Sequence, residues 1–208
     1  EFGINFFIAL SYRWLTKGHP DPEGFHLGIV TAFLKHYLDR YGLYDISNVG
    51  VFWDFGSLYQ NTRVGNQEEL FKEGLRASNR WYGSVHSVVW LQPHLPRDFE
   101  GAPYDQSGWC FVEASISSVI KGGDSRYDLG LLEIDDLLNK RIEWGSLRSG
   151  RMPPLSPARV AQKLKDEKKF TNDSDVEKVV MLYKSFFDTV SSSVEELEFF
   201  DCGWTAEH

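Results

Sequence analysis

The sequence points to an α/β domain built on a short parallel sheet, for two reasons. Short apolar segments alternate with longer stretches of helical spacing, in the order strand, helix, strand, helix, strand, helix, strand, as far as residue 134. Such alternation is the pattern of strand–helix–strand units with right-handed crossovers. The apolar segments are also nearly unbroken, as strands covered on both faces read.

Ile4 to Leu10 is the first strand. A loop from Ser11 to Glu23 carries two prolines. A helix then runs from about Phe25 to Tyr41, where Leu27, Val30, Leu34 and Leu38 recur at helical spacing and Gly42 supplies a stop. Val49 to Phe55 is the second strand. The loop Gly56 to Asn66 leads into a helix from about Gln67 to Tyr82, and Val85 to Leu91 is the third strand. A Pro-rich loop, Pro93 to Pro103, precedes the third helix, about Ser107 to Lys121, and Leu129 to Ile134 is the fourth strand candidate.

Beyond about residue 135 the alternation stops. Asp135 to Trp144 reads as helical or irregular, and Met152-Pro153-Pro154 with Pro157 marks a turn. A short helix is expected over Ala158 to Asp166. A longer one begins at Ser174, where Ser174-x-x-Glu177 has the form of a capping box and Val176, Val179, Val180 and Tyr183 follow at helical spacing. The expected division is an α/β core over residues 1–134 and a helical extension, 135–208, packed on the same domain.

Composition narrows the function. With 42% hydrophobic residues and seven Trp, 208 residues can bury a sizeable core. A net charge of −8 argues against nucleic acid, whose phosphates demand a basic footprint. No apolar run approaches the roughly 18 residues of a membrane span, and no basic leader precedes the first strand. Cys110 and Cys202 form neither a CxxC nor a disulfide framework, so a reducing, cytoplasmic setting is expected.

Open parallel sheets bind ligands outside the carboxyl ends of their strands. Three loops reach that edge. The first carries Ser11, Tyr12, Arg13 and Trp14; the second follows Asp54 and carries Gln60 and Arg63; the third ends at Trp109, with Glu113 one turn further on. Glu113 falls at the margin of the apolar stripe Trp109, Val112, Ile116, Val119 and Ile120. Partial desolvation there raises a carboxyl pKa, while the helix N-terminus pulls the other way. The plainer reading is a helix-edge glutamate that reaches solvent or pairs with an arginine.

Asp54, at the end of a strand, either caps the following loop or meets a ligand. Arg13 and Trp14 suit a phosphate and a ring, or equally a surface ion pair and a core filler. His19, Asp21 and His26 would hold a metal only if they converged. Pro-flanked as they are, they read first as turn residues, and no metal is expected. No GxGxxG, Walker loop, GxSxG or HExxH is present.

Phe7-Ile8-Ala9-Leu10-Ser11-Tyr12-Arg13-Trp14 resembles the first strand and loop of fungal heterokaryon-incompatibility (HET) domains, and Val51-Phe52-Trp53-Asp54-Phe55-Gly56-Ser57-Leu58-Tyr59-Gln60 is similar to their second strand. Ser107-Gly108-Trp109-Cys110-Phe111-Val112-Glu113 resembles the Ser-x-Trp-Cys-x-x-Glu segment of TIR domains, to which HET domains are distantly related. The match covers about residues 4 to 134. It departs where Arg13-Trp14 lacks the HET glycine, where Phe55-Gly56-Ser57 replaces a Cys-Ile region, and in the segment Pro93 to Pro103.

The resemblance implies a flavodoxin-like, three-layer fold. It implies that Glu113 matches the glutamate with which enzymatic TIR domains cleave NAD, which would be substrate rather than cofactor. It implies a cell-death or defence context and self-association. The activity expected first is therefore NAD glycohydrolysis, with Glu113 catalytic and Ser11, Tyr12, Arg13, Trp14, Asp54, Gln60, Arg63 and Trp109 binding substrate. The alternatives are a non-catalytic self-association scaffold and a nucleoside or nucleotide glycosyl-bond enzyme similar to 2-deoxyribosyltransferases.

Overall fold

The computed structural model describes residues 7–42, 48–139, 142–148, 150–172, 174–197, 199, 202 and 204. The first strand, β1 (Phe7–Tyr12), runs two residues past the expected end; residues 4–6 of that expectation lie outside the described residues. β2 (Gly50–Phe52), β3 (Val88–Gln92) and β4 (Arg126–Asp128) complete a parallel sheet among the described residues, in the order β2-β1-β3-β4. Its register sets Ala9 beside both Phe52 and Val89, and Trp90 beside Tyr127.

Helices cover both faces, which is why the strands carry unbroken apolar runs. Ile8, Leu10, Val88 and Trp90 face helix α1 (Phe25–Tyr41) and α6 (Ile134–Asn139). Ala9, Val89 and Leu91 face α4 (Asn79–Gly83) and α5 (Gly108–Ile120). The C-terminal helices α7 (Pro157–Asp166) and α8 (Asp175–Ser193) pack on each other, and α8 packs on the outer side of α5. As a result α5 is buried nearly all round, from Cys110 to Val119, and Val179, Tyr183, Phe186 and Val190 of α8 join its cluster.

Several local expectations are corrected. The buried face of α1 is Ile29, Val30, Phe33, Tyr37 and Tyr41, while Leu27 is 54% exposed. The aromatic residues, not the leucines, carry the stripe, and Phe33 and Tyr37 pack edge-on against Trp90. The helix expected over 67–82 divides into α3 (Gln67–Ala77) and α4 at Ser78. There the Ser78 N–H and hydroxyl both donate to the Leu75 carbonyl, a tightening that bends helices. The second strand stops early, and Asp54–Ser57 forms one helical turn, α2.

The fourth strand is the polar Arg126–Asp128, not Leu129 to Ile134. Asp128 Oδ1 accepts from Gly130 N at 2.9 Å and turns the chain just where the apolar run begins. The capping box at Ser174 does not form: Ser174 precedes α8 in helical conformation and makes no side-chain cap. Ser156 instead caps α7, accepting from Arg159 N at 3.3 Å, with Pro157 in the first turn. Among the described residues no helix is long and apolar enough to cross a membrane.

Candidate active site

The first crossover leaves β1 in one direction and the later ones depart in the other, so the carboxyl ends of β1 and β3 flank the point where strand order reverses. A cleft of about 490 Å3 opens beside it, toward β2 and α5. It gathers residues from segments far apart in sequence. Tyr12, Arg13 and Trp14 come from the end of β1, Asp54 from α2, Gln60 and Arg63 from the loop that follows, and Trp109 and Glu113 from α5. Ser11 lies fully buried behind them and reaches the cleft through Glu113.

Glu113 forms the floor. Ser11 Oγ donates to Glu113 Oε2 at 2.6 Å, and Ser11 Oγ in turn lies 2.7 Å from the buried Tyr104 hydroxyl. Tyr82 lies on the same floor and donates to the Leu10 carbonyl at 3.1 Å. Burial pushes the Glu113 carboxyl up to about 8, the Asp54 charge adds to this, and the hydrogen bond from Ser11 opposes it. This burial favours the protonated form of Glu113 at neutral pH. No arginine pairs with it among the described residues, which sets aside the plainer reading of a surface ion pair.

Asp54 organises one wall. Its Oδ1 accepts from Tyr12 Oη at 2.8 Å and from Phe55 N at 2.7 Å, and its Oδ2 accepts from Trp14 Nε1 at 3.0 Å. Burial raises its pKa and these three donors oppose the rise. With both oxygens occupied, Asp54 acts on the cleft by fixing the phenol and the indole, which become its aromatic surface. The same burial, with Asp54 alongside, raises the Tyr12 phenol pKa, so Tyr12 stays a neutral donor. Cys110 Sγ donates to the Tyr12 carbonyl at 3.3 Å, and burial raises its thiol pKa, so it stays protonated and is no nucleophile.

The cations differ in availability. Arg13 Nε donates to the Ala102 carbonyl at 3.1 Å, which leaves its terminal nitrogens for the cleft. Arg63 is spent on its own loop: Nε donates to the Tyr59 carbonyl, Nη1 to Asn61 Oδ1 and Glu68 Oε2, and the guanidinium stacks 3.5 Å over Phe71. Gln60 Nε2 likewise donates to the Phe55 and Leu58 carbonyls and holds that loop in shape.

The C-terminal extension completes the cleft, which sequence reasoning missed. Thr171, Asn172, Asp175 and Lys178 line it. Asp175 Oδ2 accepts from Trp109 Nε1 at 3.3 Å and so orients that indole. The extension is stitched on by Gly108 N to the Lys169 carbonyl and Lys169 N to the Gln106 carbonyl. The Phe170 ring lies on Gly108, where a Cβ would sit 2.0 Å from it. Tyr104, Tyr82 and Asp175 carried no local signal, because each reaches the site only through a partner distant in sequence.

His19, Asp21 and His26 do not converge on a metal. The Asp21 carboxylate accepts from the backbone N–H groups of His26 and Leu27, and the His26 ring is held between the Arg13 carbonyl and Gln92. Among the described residues no group of three His, Cys, Asp or Glu is placed to hold a metal ion. Compared with models of known families, with curated proteins and with solved structures, the chain matches none.

Proposed function

We propose that this chain is a flavodoxin-like, TIR-like NAD glycohydrolase that cleaves the nicotinamide–ribose bond, in a cell-death or defence setting. One observation carries the reading: Glu113, held by Ser11 and with no cation paired to it among the described residues, sits on the floor of an aromatic cleft at the sheet's switch point. A volume of about 490 Å3 suits a nucleotide portion.

The chemistry asks little of an acid. The C1′–N bond breaks with both electrons passing to the pyridinium nitrogen, and nicotinamide leaves neutral. The ribose is left as an oxocarbenium ion. Water adds at C1′ and gives up a proton, leaving ADP-ribose. A carboxylate beside C1′ stabilises the cation and then takes that proton. Binding a cationic nicotinamide ring next to Glu113 favours its ionised form, and the hydrogen bond from Ser11 orients the oxygen that works. Trp14 and Trp109, each fixed through its indole N–H, supply ring surface, and Arg13 meets the diphosphate.

The scaffold reading is favoured by exposed Tyr59 and Val64 on the loop 56–66, a surface suited to a second copy of the chain. Glu113→Gln separates the two readings. A glycohydrolase loses nicotinamide release while its association state, read by light scattering, is kept. Loss of association together with unchanged turnover would overturn the assignment of Glu113.

A further inference from the structure

A second hollow, of about 410 Å3, adjoins the Glu113 cleft. Arg13, Trp14, Lys17 and Thr171 line both and form their common edge. The far wall of the second hollow is Asp98, Phe99, Glu100 and Gly101, from the segment between β3 and α5. That wall is built rather than loose. The Phe99 ring folds over Gly101, where a Cβ would come within 2.3 Å of it, and Phe99 N donates to the Pro96 carbonyl at 3.1 Å. Arg13 Nε, bound to the Ala102 carbonyl, ties the segment to the end of β1.

We propose that this annexe holds the adenosine half of a dinucleotide, which lies across both hollows with its diphosphate over Arg13 and Lys17. The inference rests on the glycosidic-bond reading of the Glu113 cleft and deepens it. A mononucleoside fills one hollow and leaves the other without purpose. A dinucleotide needs two, separated by cations. The terminal nitrogens of Arg13 and the exposed ammonium of Lys17 stand at that waist. Phe99 presents a ring to a planar base, and Asp98 and Glu100 offer acceptors to ribose hydroxyls or an exocyclic amine. The far wall, 98–101, lies in a segment where the resemblance to HET and TIR domains departs, and Thr171 lies beyond that resemblance, so dinucleotide selection draws on this chain's own additions.

The test compares nicotinamide release from NAD and from nicotinamide mononucleotide, which lacks the adenosine half. The variants are Phe99→Ala and, on the exposed rim, Lys17→Glu, each checked by circular dichroism against the parent. Loss of one stacked base is worth about fivefold or more in affinity. The ratio of kcat/KM for NAD over the mononucleotide is therefore expected to fall at least about fivefold in Phe99→Ala, and Lys17→Glu, at the diphosphate, is expected to lower kcat/KM for NAD; an unchanged ratio in folded Phe99→Ala, or unchanged NAD turnover in folded Lys17→Glu, overturns the annexe. If neither compound releases nicotinamide, the glycohydrolase reading fails instead. The annexe is then judged by calorimetric binding of AMP. Affinity lost at least about fivefold in Phe99→Ala keeps it, whereas equal binding or none overturns it.

Discussion

Replacing Glu113 by Gln removes one titratable proton from the cleft while keeping its shape. In the folded chain, burial holds the Glu113 carboxyl at about 8, well above its ordinary 4.5. Between those values the folded chain keeps a proton that the unfolded chain releases. The stability contributed by this group is thus fully present below about 4.5 and is lost as pH rises through about 8. At about 1.4 kcal/mol per tenfold change in proton affinity, the ceiling on that loss is about 5 kcal/mol. The carboxyl lines a cleft open to water rather than a sealed core. Integrated between pH 5 and pH 9, the two values give an expected loss of about 4 kcal/mol. Urea unfolding at pH 5 and pH 9 measures it. The parent should lose about 4 kcal/mol more than Glu113→Gln over that interval, with the two within about 1 kcal/mol at pH 5, since the Ser11 hydroxyl keeps an acceptor. Parallel pH dependence of parent and variant would refute the argument that Glu113 is held protonated by its surroundings.

Three further outcomes are expected. Tyr104→Phe removes the donor behind Ser11 and should lower unfolding free energy by about 1 kcal/mol in denaturant melts, while shifting the pH profile of kcat/KM. Lys121→Met removes the buried Nζ that donates to the Ser84 and Ser87 carbonyls and to Ser87 Oγ, and should cost about 1–3 kcal/mol by the same assay. Gly108→Ala drives a Cβ into the Phe170 ring and should cost about 1–3 kcal/mol, with a raised KM as the 169–172 segment lifts from α5. Differential scanning calorimetry together with steady-state kinetics checks it.

Helices α1 and α5 were legible because long periodic segments with clear stops leave few competing readings. The phase of α1 was not: Leu27 and Tyr37 both fit a helical period, and only contact with Trp90 decides that the aromatic face turns inward. β4 was hidden because Arg126-Tyr127-Asp128 has no apolar run, while the apolar run beside it is turned by Asp128. Within the site, the residues on the loops after β1 and β2 and at the start of α5 follow from where parallel sheets bind ligands. The division of labour among them does not. Asp54 and Arg63 carry charges that suit a ligand, yet their partners lie within the protein. The extension's part in the cleft depends on the pairing of Lys169 with Gln106 and Gly108, a contact across more than sixty residues that no local pattern announces.

The role of Glu113 as the catalytic carboxylate is tested by nicotinamide release from NAD by concentrated protein, followed from pH 6 to pH 9, parent beside Glu113→Ala. Release by the parent alone is expected, with kcat/KM rising as pH increases through about 8, where free Glu113 ionises. Equal release by both proteins, or none by the parent in dilute and crowded solution alike, would contradict that role.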